Sequence, residues 1–182
     1  MRRFDASRLL PVAPADVSAR SCPATLAVVQ ACRLGAGPAT RPLGQPWQPP
    51  RIEWPFGVLH VASLEVARRA CLLLDGTWLL VDAPSAAARW RARLAALGAD
   101  AAWWRPLQAH DVWDAGIAAS LADLQGFVPR RATLIVVENA WVDAAGARVL
   151  AQLERQARTG PRAVRLLLAG GTAPPFARTV GG

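Results

Sequence analysis

The chain has 182 residues, 53% hydrophobic and 19% charged, with a formal net charge of +8. That balance fits a single globular domain with a sizeable core and excludes a disordered chain. No apolar run reaches the ~18 residues that a membrane-spanning helix needs. The N-terminus, MRRFDASRLLPVAP, lacks the apolar stretch of a signal peptide, and Asp5 and Asp16 argue against an acid-poor transit peptide. All 21 basic residues are arginine. A charge of this sign attracts nucleic acid, anionic lipid or an acidic partner. The arginines form no run longer than two, which also fits a base composition that favours arginine codons. Cys22, Cys32 and Cys71 show no C-x-x-C spacing. They read as buried thiols of a reducing compartment, not as a disulfide frame or zinc site.

The first 55 residues hold nine of the fifteen prolines. Residues 23–34 (PATLAVVQACRL) predict a short helix, with Pro23 in its first turn and Gly35 after its end. Residues 36–55 carry too much proline for a helix or a central strand and read as a linker or strap. Residues 1–55 are thus expected to be a proline-rich segment with one short helix, and 56–182 an α/β domain. Trp47 and Trp54, inside the proline-rich stretch, are candidate docking residues; pinning the strap to the domain's own surface would also explain them.

From Phe56 the pattern is regular. Strands are predicted at 57–62, 77–82, 101–106, 133–138 and 163–169. They alternate with helices at 64–74, 84–97, 111–124 and 143–158. Several strands are nearly continuous apolar runs, as expected where both faces are covered. The alternation implies parallel strands and right-handed crossovers, hence a doubly wound, mostly parallel five-stranded sheet. It leaves the strand order open. Pro84 and Gly98 bound the 84–97 helix, in which Trp90, Leu94 and Leu97 form one face. Trp113, Ile117, Leu121 and Leu124 recur at helical spacing in the next. Asp143 caps the last helix, Val149, Leu150, Leu153 and Ala157 point inward, and Gly160-Pro161 ends it. Arg148, Glu154, Arg155 and Arg158 form its solvated face.

Ligands of an open parallel sheet bind beyond the carboxyl ends of its strands. The first strand ends at Ala62-Ser63, where a P-loop enzyme has a glycine-rich loop and lysine; this chain has SLEVARRA. Without those groups a phosphate is neither wrapped nor neutralised. Ser63 reads as a helix N-cap. Asp82 reads as a cap or turn residue, since no G-x-G-x-x-G accompanies it. Trp103-Trp104-Arg105 offers a stack for bases, but adjacent strand residues face opposite sides, so the two tryptophans read as packing against two helical layers. Glu138-Asn139-Ala140-Trp141 stands where P-loop NTPases carry an acidic metal-binding motif, commonly Asp-Glu-Ala. The second acid is replaced by Asn139, which cannot act as a general base. Trp141 puts a bulky aromatic where water and metal would sit. His60 reads as a buried, hydrogen-bonded histidine and His110 as exposed. G-x-S-x-G is missing. The strand at 163–169 runs into Gly170-Gly171-Thr172-Ala173-Pro174-Pro175, a loop that closes the sheet edge or meets a partner. The expected layout is therefore P-loop-NTPase-like (RecA-like) without a P-loop. No catalytic residue, metal ligand or cofactor is assigned.

Three stretches resemble the N-terminal domain of the BcsE family, accessory proteins of bacterial cellulose secretion. They are Phe56-Gly57 through Ser63-Leu64-Glu65, the strand from Asp75-Gly76-Thr77-Trp78 to Asp82, and Leu134 through Glu138-Asn139-Ala140-Trp141 with the helix and strand that follow. The likeness covers roughly residues 57–171. It implies a degenerate NTPase-like domain without catalysis, an interaction module contacting other proteins of the cellulose secretion complex at the cytoplasmic face of the inner membrane. Membrane association would then run through a partner. Glu138, Asn139 and Trp141 join Trp47 and Trp54 as candidate interaction residues. The resemblance places cyclic di-GMP binding in a later GGDEF-like domain with an R-x-x-D site; here the only R-x-x-D is Arg2…Asp5, in the terminal tail. Two alternatives stand beside this reading. One is a degenerate superfamily 1 helicase-like domain binding single-stranded DNA, for which LLLAGGTAPPF and the +8 charge speak. The other is an enzyme using Asp82, Glu138 or Ser63.

Overall fold

The computed structural model describes residues 9, 12, 22–34, 55–75, 85–101, 113–129, 131–138, 143–160 and 162–180. Within them lie helices α1 (Pro23–Leu34), α2 (Leu64–Leu74), α3 (Ala86–Ala101) and α4 (Ala144–Thr159). The strands are β1 (Phe56–Val61), β2 (Trp113–Ala118), β3 (Ala132–Glu138), β4 (Val164–Ala169) and β5 (Arg178–Thr179). The strands form one five-stranded sheet in the order β2-β3-β4-β1-β5. Every pairing is parallel. This is the doubly wound, RecA-like α/β arrangement expected from the alternation of strands and helices.

The two faces of the sheet explain the apolar runs. Leu59, Val61, Leu134, Val136 and Leu167 share one core with Val28 and Cys32 of α1 and with Ala67, Ala70 and Cys71 of α2. Ile135, Val137, Leu166 and Leu168 share the other with Val149, Leu153 and Ala157 of α4. Alternate residues of one strand thus feed opposite layers, so β3 and β4 carry no polar alternation. Because α1 contributes to the first core, part of the proline-rich N-terminal region packs with the sheet.

Local signals at the helix ends act as expected. Asp143 caps α4 by accepting a hydrogen bond from the Gly146 N–H at 2.6 Å. Gly160 ends that helix, and a Cβ there would sit 2.8 Å from the Gln156 carbonyl oxygen. Arg148, Arg155 and Arg158 are exposed, whereas Leu150 is only half-buried.

The segment 111–124 is not a helix. Its described residues form β2, followed by a short 3₁₀ turn at Ala122–Leu124. The helical spacing of Trp113, Ile117, Leu121 and Leu124 is outweighed by pairing of β2 with β3, from Trp113↔Ala132 to Ala118↔Val137. That pairing satisfies the backbone and buries Trp113 completely. A signal for it was present: Ser120 and Asp123 form a reciprocal cap, with the Ser120 N–H donating to Asp123 at 2.9 Å and the Asp123 N–H to Ser120 Oγ at 3.3 Å. These bonds bracket the entry to the 3₁₀ turn, whose first backbone hydrogen bond runs from the Leu124 N–H to the Leu121 carbonyl.

Helix α3 runs through Gly98 to Ala101, so Gly98 does not close it and Ala101 does not open a strand. Ser85 Oγ accepts from the Ala88 N–H at 3.2 Å and caps its start. The strand expected at 77–82 and residues 102–106 of the one expected at 101–106 lie outside the described residues. Trp103, Trp104, Arg105 and His110 lie outside them too. Among the described residues the sheet has five strands, β2 and β5 included.

Arg165 is a charged residue inside the first core, with 1% of its surface exposed. It pairs in register with Gly57, whose missing Cβ would lie 3.4 Å from Arg165 Cδ. Its Nε donates to the Cys32 carbonyl at 3.1 Å and its Nη1 to the Val164 carbonyl at 3.2 Å. Cys32 lies in the last turn of α1, where carbonyls have no helical partner. The guanidinium therefore closes the negative end of α1. Burial lowers the Arg165 pKa, and the neighbouring Cys32 opposes that. Burial also pushes the Cys32 thiol up to about 12, with Arg165 pulling the other way.

Candidate functional site

The carboxyl ends of β1, β3 and β4 lie side by side. Val61 pairs with Ala169, and Ala169 with Glu138. Strand alternation places Glu138 on the same face as Leu134 and Val136, towards α2. Ser63 begins α2 at this edge, its Oγ accepting from the Val66 N–H at 3.4 Å. It is the N-cap that the sequence predicts.

Glu138 meets Arg68 of α2: Nη2 donates to Oε1 at 3.0 Å, with 36% and 29% of the two side chains exposed. One turn earlier, Glu65 accepts from Arg69 at 3.0 Å. The positive end of α2 thus already carries a carboxylate in its first turn. That charge opposes a second anion there. The carboxylate on β3 is likewise paired with a guanidinium of α2. Two internal ion pairs thus lie at this edge of the sheet. Among the described residues, no three His, Cys, Asp or Glu side chains converge as a metal site would require.

The opposite face holds His60. It is 4% exposed, and its Nε2 lies 3.2 Å from the Gly170 carbonyl oxygen. A carbonyl only accepts, so the proton of a neutral ring sits on Nε2. Nδ1 is buried without a partner. The expected buried histidine is therefore satisfied on one nitrogen only. Gly170 and Gly171 adopt positive φ, 79° and 65°. That conformation turns the chain back so that the Gly170 N–H bonds the Val61 carbonyl and the Val180 N–H bonds the His60 carbonyl, both at 2.9 Å. The loop thus closes over β1 and delivers β5 against its open side.

Of the five candidate interaction residues, the structure describes Glu138. Trp47, Trp54, Asn139 and Trp141 lie outside the described residues, as does Asp82. Arg68 was the residue that sequence reading missed. Its signal was available: an arginine in the second turn of the helix after β1 can reach a carboxylate at the end of β3 once those strands lie close in the sheet. Compared with protein-family models, with curated proteins and with solved structures, the chain matches none.

Proposed function

We propose that this chain is a non-catalytic interaction module, a pseudo-NTPase scaffold serving a bacterial cellulose or exopolysaccharide secretion system on the cytoplasmic side of the inner membrane. The observation that carries the non-catalytic reading is the Arg68–Glu138 ion pair at the carboxyl edge. The Glu138 carboxylate is engaged by Arg68, which a metal ion or an attacking water would have to displace. The chain also has no lysine anywhere to neutralise a transferred phosphate. The cellulose assignment rests on the BcsE-like stretches alone. An NTPase-like scaffold that has lost its chemistry keeps a rigid sheet edge and exposed loops, which is what a docking protein uses.

Two measurements test the parts separately. ATP and GTP turnover with magnesium should stay at the level of a protein-free blank; turnover abolished by Glu138→Gln would refute the non-catalytic reading. Pull-down of purified chain against each cytoplasmic component of a cellulose secretion apparatus should recover at least one. Recovery of none would refute the cellulose assignment.

A further inference from the structure

Helix α3 carries an apolar stripe that none of the other described elements covers. Trp90, Leu94 and Leu97 recur at i, i+4 and i+7 and are 61%, 59% and 54% exposed. Side chains at that spacing share one helix face. The expected apolar face exists, but it does not turn into the core. The helix packs extensively against none of the other described elements. A Cβ built on Gly98 meets nothing within 4 Å. The helix sequence, AAARWRARLAALGADA, contains Arg89, Arg91 and Arg93 against the single acid Asp100. Arg91 is exposed beside the stripe.

We infer that α3 is a membrane-contacting helix that lies flat on an anionic lipid surface, with Trp90, Leu94 and Leu97 in the headgroup–acyl boundary. The inference rests on α3 alone and is independent of the cellulose reading.

Three considerations select this occupant. The first is charge: the exposed Arg91, on a helix whose sequence holds three arginines and one acid in a chain of net charge +8, complements a negative surface. Each basic side chain near an anionic leaflet adds on the order of fivefold to binding. The second is size. The three side chains offer on the order of 300 Å² of apolar area, well short of the ~800 Å² that each partner of a stable protein complex buries. A bilayer imposes no such threshold, because shallow insertion adds to electrostatic attraction. The third is chemistry: tryptophan favours the membrane–water boundary, and arginine stems lie along apolar surface while their heads stay in water. A second copy of the chain would bring the same positive charge to the contact. At 16 residues α3 is too short to span a bilayer, so it lies on the surface.

The test is co-sedimentation of the full chain with large unilamellar vesicles. One set contains phosphatidylcholine with about one third phosphatidylglycerol, and the other phosphatidylcholine alone. Binding is expected to the anionic set at low salt. It should weaken at least tenfold on raising salt from about 50 to 500 mM, as screening of surface charge requires. Trp90→Ala and Leu94→Gln should each reduce partitioning several-fold, and Arg91→Glu more than tenfold. All three positions are exposed, so the variants should melt with the wild type, which separates loss of binding from loss of fold. No binding to anionic vesicles overturns the inference. So does binding that Trp90→Ala leaves unchanged, which would mark diffuse charge attraction. Loss of a protein partner by Trp90→Ala without any vesicle binding would assign the stripe to that protein and overturn it as well.

Discussion

The sharpest quantitative consequence of the fold concerns Cys32, fully buried where α1 meets the sheet. Burial raises its thiol pKa from 9.0 to about 12. The unfolded chain releases this proton near pH 9, and the folded chain near pH 12. Between those values the folded state binds the extra proton, so its stability is intact below about pH 9 and falls as pH rises towards 12. The slope approaches 1.36 kcal/mol per pH unit for one proton, which gives a loss of ~2 kcal/mol by pH 10.5. Cys32→Ala removes this component and costs about 1 kcal/mol at every pH for the deleted sulfur. Urea unfolding of both proteins under reducing conditions at pH 7, 9 and 10.5 provides the assay. The variant should be less stable at pH 7 and should equal or exceed the wild type at pH 10.5. Stability curves that stay parallel across that range would refute the buried, neutral thiol.

Three other experiments probe the rest of the frame. Arg165→Met should leave stability within about 1 kcal/mol of wild type, because shedding a buried charge offsets the lost bonds to the Cys32 and Val164 carbonyls; Arg165→Ala, which also opens a cavity, should cost ~3–5 kcal/mol in the same denaturation assay. An equal, large loss in both would show that the guanidinium itself is indispensable. A double-mutant cycle of Arg68→Ala with Glu138→Ala should return a coupling under ~1 kcal/mol, as suits a partly exposed ion pair; a coupling of several kcal/mol would mean that the pair is shielded from water. Gly170→Ala should lower stability by ~1–2 kcal/mol through its positive φ, with Gly170→Asn milder, read from thermal melts; a neutral Gly170→Ala would mean that the turn can be rebuilt.

Helices flanked by strong punctuation were legible in the sequence. Ser63 and Asp143 start α2 and α4, and Gly160 ends α4, where side-chain chemistry alone dictates. The continuous apolar runs of β3 and β4 announced strands covered on both faces. Misreadings arose where long-range pairing decides. Residues 113–118 have a helical apolar spacing, and only the ladder with β3 makes them a strand. Gly98 resembles a stop signal, yet no left-handed backbone is adopted there and α3 continues. At the candidate site, Glu138 stood out because it ends an apolar strand. Arg68 stayed hidden because its relation to Glu138 exists only through the packing of α2 on β3.

The strand order also dictates when the protein can become itself during synthesis. Among the described strands β1 is made first, yet its neighbours β4 and β5 are made last. His60 waits for Gly170, 110 residues downstream, and the Cys32 carbonyl waits for Arg165 across 133. A nascent chain made only as far as residue 162 therefore holds Leu59 and Val61 on a strand with both sides open. Such topologies fold slowly and expose adhesive edges meanwhile. β5, small as it is, acts as the latch that ends that vulnerable interval.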